Sequence, residues 1–178
     1  CATSAMRDAK NAADIVQQVE KETGIAINVI SGSEEAQILY ETHQADNLDA
    51  KFNYLYIDVG GGSTELTLYT RQKEVIKKSF NVGTIRLLKD KVEEEIWEEM
   101  KQFIKTTLKL HLPAQAIGSG GNINKIFSLS KRKAGKPLPV EILREYHKEM
   151  SALTLSERMH RYEFRQDRAD VIVPALLI

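Results

Sequence analysis

The sequence has one cysteine, Cys1, so neither an internal disulfide framework nor a cysteine-rich zinc site can organise the chain. It has no excess of charge, 25 Lys and Arg standing against 25 Asp and Glu, and therefore no global field to draw it to nucleic acid or an acidic membrane surface. Any anion site must be local. No apolar run reaches the roughly 18 residues of a membrane span, and the start lacks the basic head and apolar centre of a secretory signal. A reducing, cytoplasmic setting is expected, with no membrane partner and no specific nucleic-acid partner. Also missing are the Gly-Lys-Ser/Thr of a Walker A loop, the GxGxxG dinucleotide fingerprint, the GxSxG nucleophile elbow and the HExxH zinc pair, which disfavours the chemistries built on them. His43, His111, His147 and His160 have no ligand spacing.

What is present is enough for one full core: 178 residues at 42% hydrophobic content, or one domain with an appendage. The chain starts at Cys1 without a methionine and closes on the apolar run 171–178, so a piece of a longer protein is expected. Residues 1–31 are then the end of a first domain or an interdomain segment, and 32–178 a second domain.

Ala9, Ala12, Ala13, Val16 and Val19 recur at helical spacing and predict one amphipathic helix over 6–22, with Ser4 as N-cap and Gly24 beyond its end. Residues 25–30 predict a short strand, and a helix follows from about residue 34. Leu55, Ile57 and Val59 alternate with Tyr54, Tyr56 and Asp58, the clearest strand in the chain. Strand character resumes over 63–69 and 74–80, which makes an antiparallel meander. A charged amphipathic helix spans 92–110, then a strand at 115–117 and a helix after the second glycine turn, with helices from 140 onward. The order points to an α/β layer structure with a mixed sheet.

Two glycine turns carry the chemistry. In Asp58, Val59, Gly60, Gly61, Gly62, Ser63, Thr64, Glu65, a carboxylate ends a strand, three glycines follow, then two hydroxyls and a second carboxylate. Glycines permit positive φ and let N–H groups converge on a phosphate. Ser63 and Thr64 add hydroxyls, and Asp58 and Glu65 are hard oxygen ligands of the kind Mg²⁺ takes. A plain hairpin turn with surface acids fits the same spacing. Gly118, Ser119, Gly120 and Gly121 form the second turn, where a helix start favours an anion. In Ser31, Gly32, Ser33, Glu34, Glu35, two acids sit in a first helical turn, where they stabilise the helix dipole. Being adjacent, they point about 100° apart, so one alone can face a cleft.

Six segments in order, ATSAMRDAKN at 2–11, SGSEEA at 31–36, DVGGGSTE at 58–65, SFNVGTIRL at 79–87, GSGGN at 118–122 and RADVIVPA at 168–175, resemble the exopolyphosphatase and guanosine pentaphosphate phosphohydrolase family. The resemblance implies an actin-like, ribonuclease H-like domain, expected here as a mixed five-stranded sheet flanked by helices, and a cleft between two such domains. It maps a catalytic base onto Glu35 and gives Glu65 a catalytic role. It places Asp58 and Glu65 at a site for Mg²⁺ or Mn²⁺. Phosphate contacts fall to Gly60, Gly61, Gly62, Ser63, Thr64, Arg7, Gly118, Gly120 and Gly121. Arg86 and Arg168 are expected as structural ion-pair partners, and Gly83 as a turn near the cleft. The family's first phosphate loop, Asp-x-Gly-Ser/Thr-Asn-Ser, is absent from these residues, so the missing first domain of the same chain is an expected partner. A homodimer is compatible with the sequence.

The implied activity is metal-dependent hydrolysis of terminal phosphoanhydride bonds in inorganic polyphosphate, with guanosine pentaphosphate as the alternative substrate. An actin-like ATP-binding domain of the sugar kinase type uses similar turns, but SGSEEA and ATSAMRDAKN argue against it. A silent phosphate or alarmone sensor would bind without turnover. The basic loop of Lys131, Arg132, Lys133 and Lys136 is a solvated charge run or a track for a polyanion.

Overall fold

The computed structural model describes residues 1–31, 34, 38, 49, 51–70 and 73–178, and of residues 73–75 the backbone alone. Two helices, α1 (Ser4–Asp8) and α2 (Ala12–Thr23), precede the strands β1 (Asn53–Val59), β2 (Thr64–Thr70) and β3 (Lys73–Phe80). Helices α3 (Thr84–Leu88) and α4 (Glu94–Leu110) lead to β4 (Ala114–Ser119). Four helices follow: α5 (Gly121–Leu129), α6 (Val140–Ser151), α7 (Leu155–Tyr162) and α8 (Gln166–Leu177).

Strand order is β3-β2-β1-β4, antiparallel across β3, β2 and β1 and parallel between β1 and β4. The sheet is thus mixed and flanked by helices, as expected, but among the described residues it has four strands rather than five. A short strand is also expected over 25–30. That stretch makes only an isolated parallel bridge, Ala2 to Val29; its alternation signals an extended chain without supplying a ladder partner in the sheet. The helix expected over 6–22 is broken between α1 and α2, where Ala9 is extended. Nothing in the chemistry of Ala9 announces the break, which falls just after Asp8, the residue that pairs with Arg86.

Period-two alternation sorts the strands onto two faces. Leu55, Leu66, Leu68, Phe80 and Val82 form one core with Met100 of α4, packed by Trp97, Phe103 and Leu108. Phe80 meets Phe103 edge-on at 5.5 Å. Each such buried side chain stabilises by roughly 1.5–3 kcal/mol. Tyr54, Tyr56 and Tyr69 lie on the opposite face. A second core of Ile126, Met150, Phe164, Ala169 and Ile172 gathers α5, α6 and α7 around α8. Helix α8 also packs on α3 and its end, Ile178, reaches the first core, so one helix backs both glycine turns.

Candidate active site

The polar end of the tyrosine face is one cross-strand row. Register pairs Ser79 with Glu65, Glu65 with Asp58 and Asp58 with Ser119. Residues directly opposite on neighbouring strands share a face, so Asp58 and Glu65 stand side by side where β1 enters the first glycine turn.

That turn is closed by the Gly60 N–H donating to the Ser63 carbonyl at 2.9 Å. Its other carbonyls are drawn to α3. Thr84 N donates to Gly60 O at 3.0 Å and Ile85 N to Gly61 O at 2.8 Å, while Arg86 Nε donates to Gly62 O at 2.6 Å. In a trans peptide the carbonyl of one residue and the N–H of the next point in opposite directions. Pinning the carbonyls of Gly60, Gly61 and Gly62 therefore turns the N–H groups of Gly61, Gly62 and Ser63 away from α3. Among the described residues these three N–H groups have no acceptor. Successive uncommitted amides of this kind make an anion-binding concavity.

The glycines serve space here, since none of Gly60, Gly61 and Gly62 has a positive φ; the expectation of left-handed backbone in this turn is corrected. A Cβ on Gly61 would sit 3.2 Å from Ile85 Cγ1, and one on Gly62 3.0 Å from Ser4 Oγ. Positive φ belongs to the second turn, where Gly120 has φ 99°. A Cβ there would lie 3.3 Å from Asp58 Oδ1. The Asp58 carboxylate thus lies between the two turns, and Gly60, Gly61, Gly62, Gly120, Asp58 and Glu65 form one constellation.

Glu65 is buried at 4% exposure, and its Oε1 accepts from Ser63 Oγ at 2.7 Å and Ser79 Oγ at 2.9 Å. These donors offset the cost of burying its carboxylate. The Ser63 hydroxyl is thereby aimed at Glu65, leaving its N–H to the turn. Thr64 is buried and its hydroxyl donates to Val82 O at 2.7 Å, a link between β2 and the chain entering α3. Gly118 lies inside the edge strand β4, in register with Ile57, rather than in the turn, its missing Cβ making room for Ile123. Gly121 opens α5 under the Arg168 guanidinium, which hydrogen-bonds Asn122 Oδ1 at 2.5 Å. Arg86 pairs with Asp8 of α1, as an ion-pair partner should; Arg168 instead meets a neutral amide. What the sequence did not disclose is that each arginine braces one glycine turn.

Arg7 lies on the exposed side of α1 and donates from Nη1 to Ile30 O at 2.7 Å. Ser31 and Glu34 form a reciprocal cap: Ser31 N and Oγ both donate to Glu34 Oε2 at 2.8 Å, and Glu34 N donates to Ser31 Oγ at 3.1 Å. The Ser31 backbone N–H, and then its hydroxyl, hold the Glu34 carboxyl below its usual range. Glu35 lies outside the described residues.

No group of three or more His, Cys, Asp or Glu among the described residues could hold a metal ion. The pair Asp58 and Glu65 is nevertheless an all-oxygen set of the size Mg²⁺ uses when substrate phosphates and water complete its shell.

A model of the Ppx/GppA phosphatase family matches residues 1–178. The chain is 39% identical over 117 residues to a bifunctional 3-dehydroquinate synthase/phosphatase of Fusobacterium nucleatum, covering 61% of this chain and 18% of that protein. It is 24% identical over 197 residues to exopolyphosphatase 1 of Mycobacterium leprae, covering 99% of this chain and 58% of that one. Among solved structures, an exopolyphosphatase from Cytophaga hutchinsonii superposes with a TM-score of 0.77 at 23% identity, over 98% of this chain and 63% of that one. The Aquifex aeolicus Ppx/GppA family member gives 0.70 at 23% identity, over 98% and 62%. The chain thus spans less than two thirds of the length of these relatives.

Proposed function

We propose, because this chain belongs to the Ppx/GppA phosphatase family, that the protein of which it forms part hydrolyses terminal phosphoanhydride bonds and releases phosphate from inorganic polyphosphate. The observation that supports this most directly is the set of three uncommitted N–H groups, on Gly61, Gly62 and Ser63, beside the paired acids Asp58 and Glu65. Such a cradle recognises a phosphoryl group, and it is preorganised because its carbonyls are already bonded. Gly120 reaches the same place from the other side of Asp58, and Gly118 and Gly121, which flank it, complete the proposed phosphate contacts.

In this proposal Gly61, Gly62 and Ser63 hold phosphoryl oxygens through their backbones, and Gly60 sets the turn. Thr64 fixes the strand to Val82 and contributes no hydroxyl. Arg7 meets substrate phosphate from α1. Mg²⁺ or Mn²⁺ would be held by Asp58 and Glu65, and when bound would neutralise charge on the phosphate oxygens. Glu35 is the base that orients the attacking water. Glu34 is the poorer candidate, because Ser31 holds its carboxylate in a helix cap. The strand order 3-2-1-4 suits a ribonuclease H-like domain over 32–178, with 1–31 leading into it. The facing wall of the cleft is assigned to the part of the relatives' length that this chain does not span. The setting is cytoplasmic; no described helix is long and apolar enough to cross a membrane.

Phosphate release by the full-length protein tests this, with inorganic polyphosphate and guanosine pentaphosphate compared, each with Mg²⁺ and with chelator. Mg²⁺-dependent release from polyphosphate is expected. Release from neither substrate in any condition excludes the hydrolase.

A further inference from the structure

We infer that Ser4 is a further substrate contact of this site, its hydroxyl joining the N–H groups of Gly61, Gly62 and Ser63 as a donor to a phosphoryl oxygen. The inference rests on the anion-binding role proposed for the first glycine turn. A Cβ on Gly62 would lie 3.0 Å from Ser4 Oγ and 3.2 Å from Ser4 Cβ, closer than ordinary van der Waals contact. Helix α1 therefore comes this near to the turn only because residue 62 has no side chain.

The Ser4 hydroxyl has no other evident task. Thr3, not Ser4, is the N-cap of α1, and no hydrogen bond among the described residues uses Ser4 Oγ. It is half-buried, and as a rotatable O–H it can aim its proton at whatever oxygen the turn holds.

A helix of five residues cannot fix such a side chain by its own stability; tertiary contacts do so. Ala2 N donates to Asn28 O at 2.8 Å and Ile30 N to Ala2 O at 2.9 Å just before the helix, and Arg7 Nη1 donates to Ile30 O. At the other end Asp8 pairs with the Arg86 guanidinium whose Nε bonds Gly62 O. One side chain thus couples α1 to the turn. Arg86 is a positioning residue, and Asp8 sets where Ser4 stands.

The test compares the full-length wild type with Ser4→Ala, Ser4→Thr and Asp8→Asn. It reads KM and kcat on polyphosphate, direct calorimetric binding of inorganic phosphate, and the thermal midpoint. Losing a hydroxyl donor to a charged oxygen should raise KM and the phosphate dissociation constant about tenfold in Ser4→Ala, with the midpoint within about 2 °C of wild type. Ser4→Thr should restore most of the affinity, and Asp8→Asn should shift it the same way as Ser4→Ala but less. Wild-type KM and phosphate affinity in Ser4→Ala overturn the inference. Phosphate binding weakened by Ser4→Ala in a protein that never releases phosphate supports Ser4 while removing the hydrolase; a wild type that neither binds nor releases phosphate removes both.

Discussion

The backbone of Gly83 lies so close to that of Gly61 that a Cβ on Gly83 would sit 2.5 Å from the Gly61 carbonyl oxygen. Gly83 has an extended backbone, so its role is clearance. It lets the start of α3 reach the first turn, and that approach pins the turn's carbonyls and frees its amides.

Gly83→Ala should therefore cost about 1–3 kcal/mol, the usual range for forcing an extra methyl into a packed place, and should weaken phosphate binding as well. Gly121→Ala is the informative contrast. Its Cβ would meet the Arg168 guanidinium at 2.7 Å, the far end of a side chain that can swing aside, so the stability cost should be smaller. Urea unfolding of both variants, alongside phosphate titration, measures the difference. Equal costs would mean that α3 is not the rigid support of the turn.

Glu34 and Glu35 should separate cleanly. Glu35→Gln should lower kcat by about 10²–10⁴-fold, the usual worth of a positioned general base, with KM changed little. Glu34→Gln should leave kcat near wild type and lower the thermal midpoint, because its carboxylate accepts from Ser31 N and Oγ. Phosphate release and thermal denaturation of the two variants decide this; loss of turnover in Glu34→Gln alone would reverse the assignment.

Asp58 faces Glu65 across one strand pair and Ser119 across the other, with Gly120 just beyond. If the pair holds Mg²⁺, Asp58→Asn should raise the Mg²⁺ concentration needed for half-maximal phosphate release by about tenfold or more, since second carboxylates chiefly tune cation affinity. Titrating activity against Mg²⁺ after chelation checks it. An unchanged Mg²⁺ requirement would move the metal elsewhere.

Much of this was readable beforehand. The meander of β1, β2 and β3 follows from alternation at Leu55, Ile57, Leu66 and Leu68, and the two glycine turns fall where strands meet turn residues. The break at Ala9 and the absence of 25–30 from the sheet did not show, because both depend on partners far along the chain: Arg86 for Asp8, and Ala2 for Val29. The site divides the same way. Residue types gave Asp58, Glu65 and the glycines. That Thr64 serves Val82, that Ser63 turns to Glu65 and that Arg86 and Arg168 brace the turns are matters of side-chain direction, which spacing does not encode.

The start of α7 offers a pH test away from the site. Thr154 and Glu157 form a capping box, with Thr154 N donating to Glu157 Oε2 at 2.7 Å, the Thr154 hydroxyl to the same oxygen at 2.8 Å, and Glu157 N to Thr154 Oγ1 at 3.3 Å. The Thr154 N–H first, and its hydroxyl second, hold the Glu157 carboxyl below its ordinary 4.5. A carboxyl lowered by folding stabilises the folded state above its unfolded value, and the contribution disappears as pH falls through the folded one. Thr154→Ala should lower the thermal midpoint by about 2–4 °C at neutral pH, the shift expected for loss of a typical N-cap. The gap should narrow as pH drops below 4.5. The Ser31–Glu34 cap is present in both proteins and cancels from the comparison. Thermal denaturation of the pair across the acid range measures the gap, and a difference that stays constant with pH would show that the Thr154 hydroxyl takes no part in holding the Glu157 charge, the residue-154 N–H being kept in both proteins.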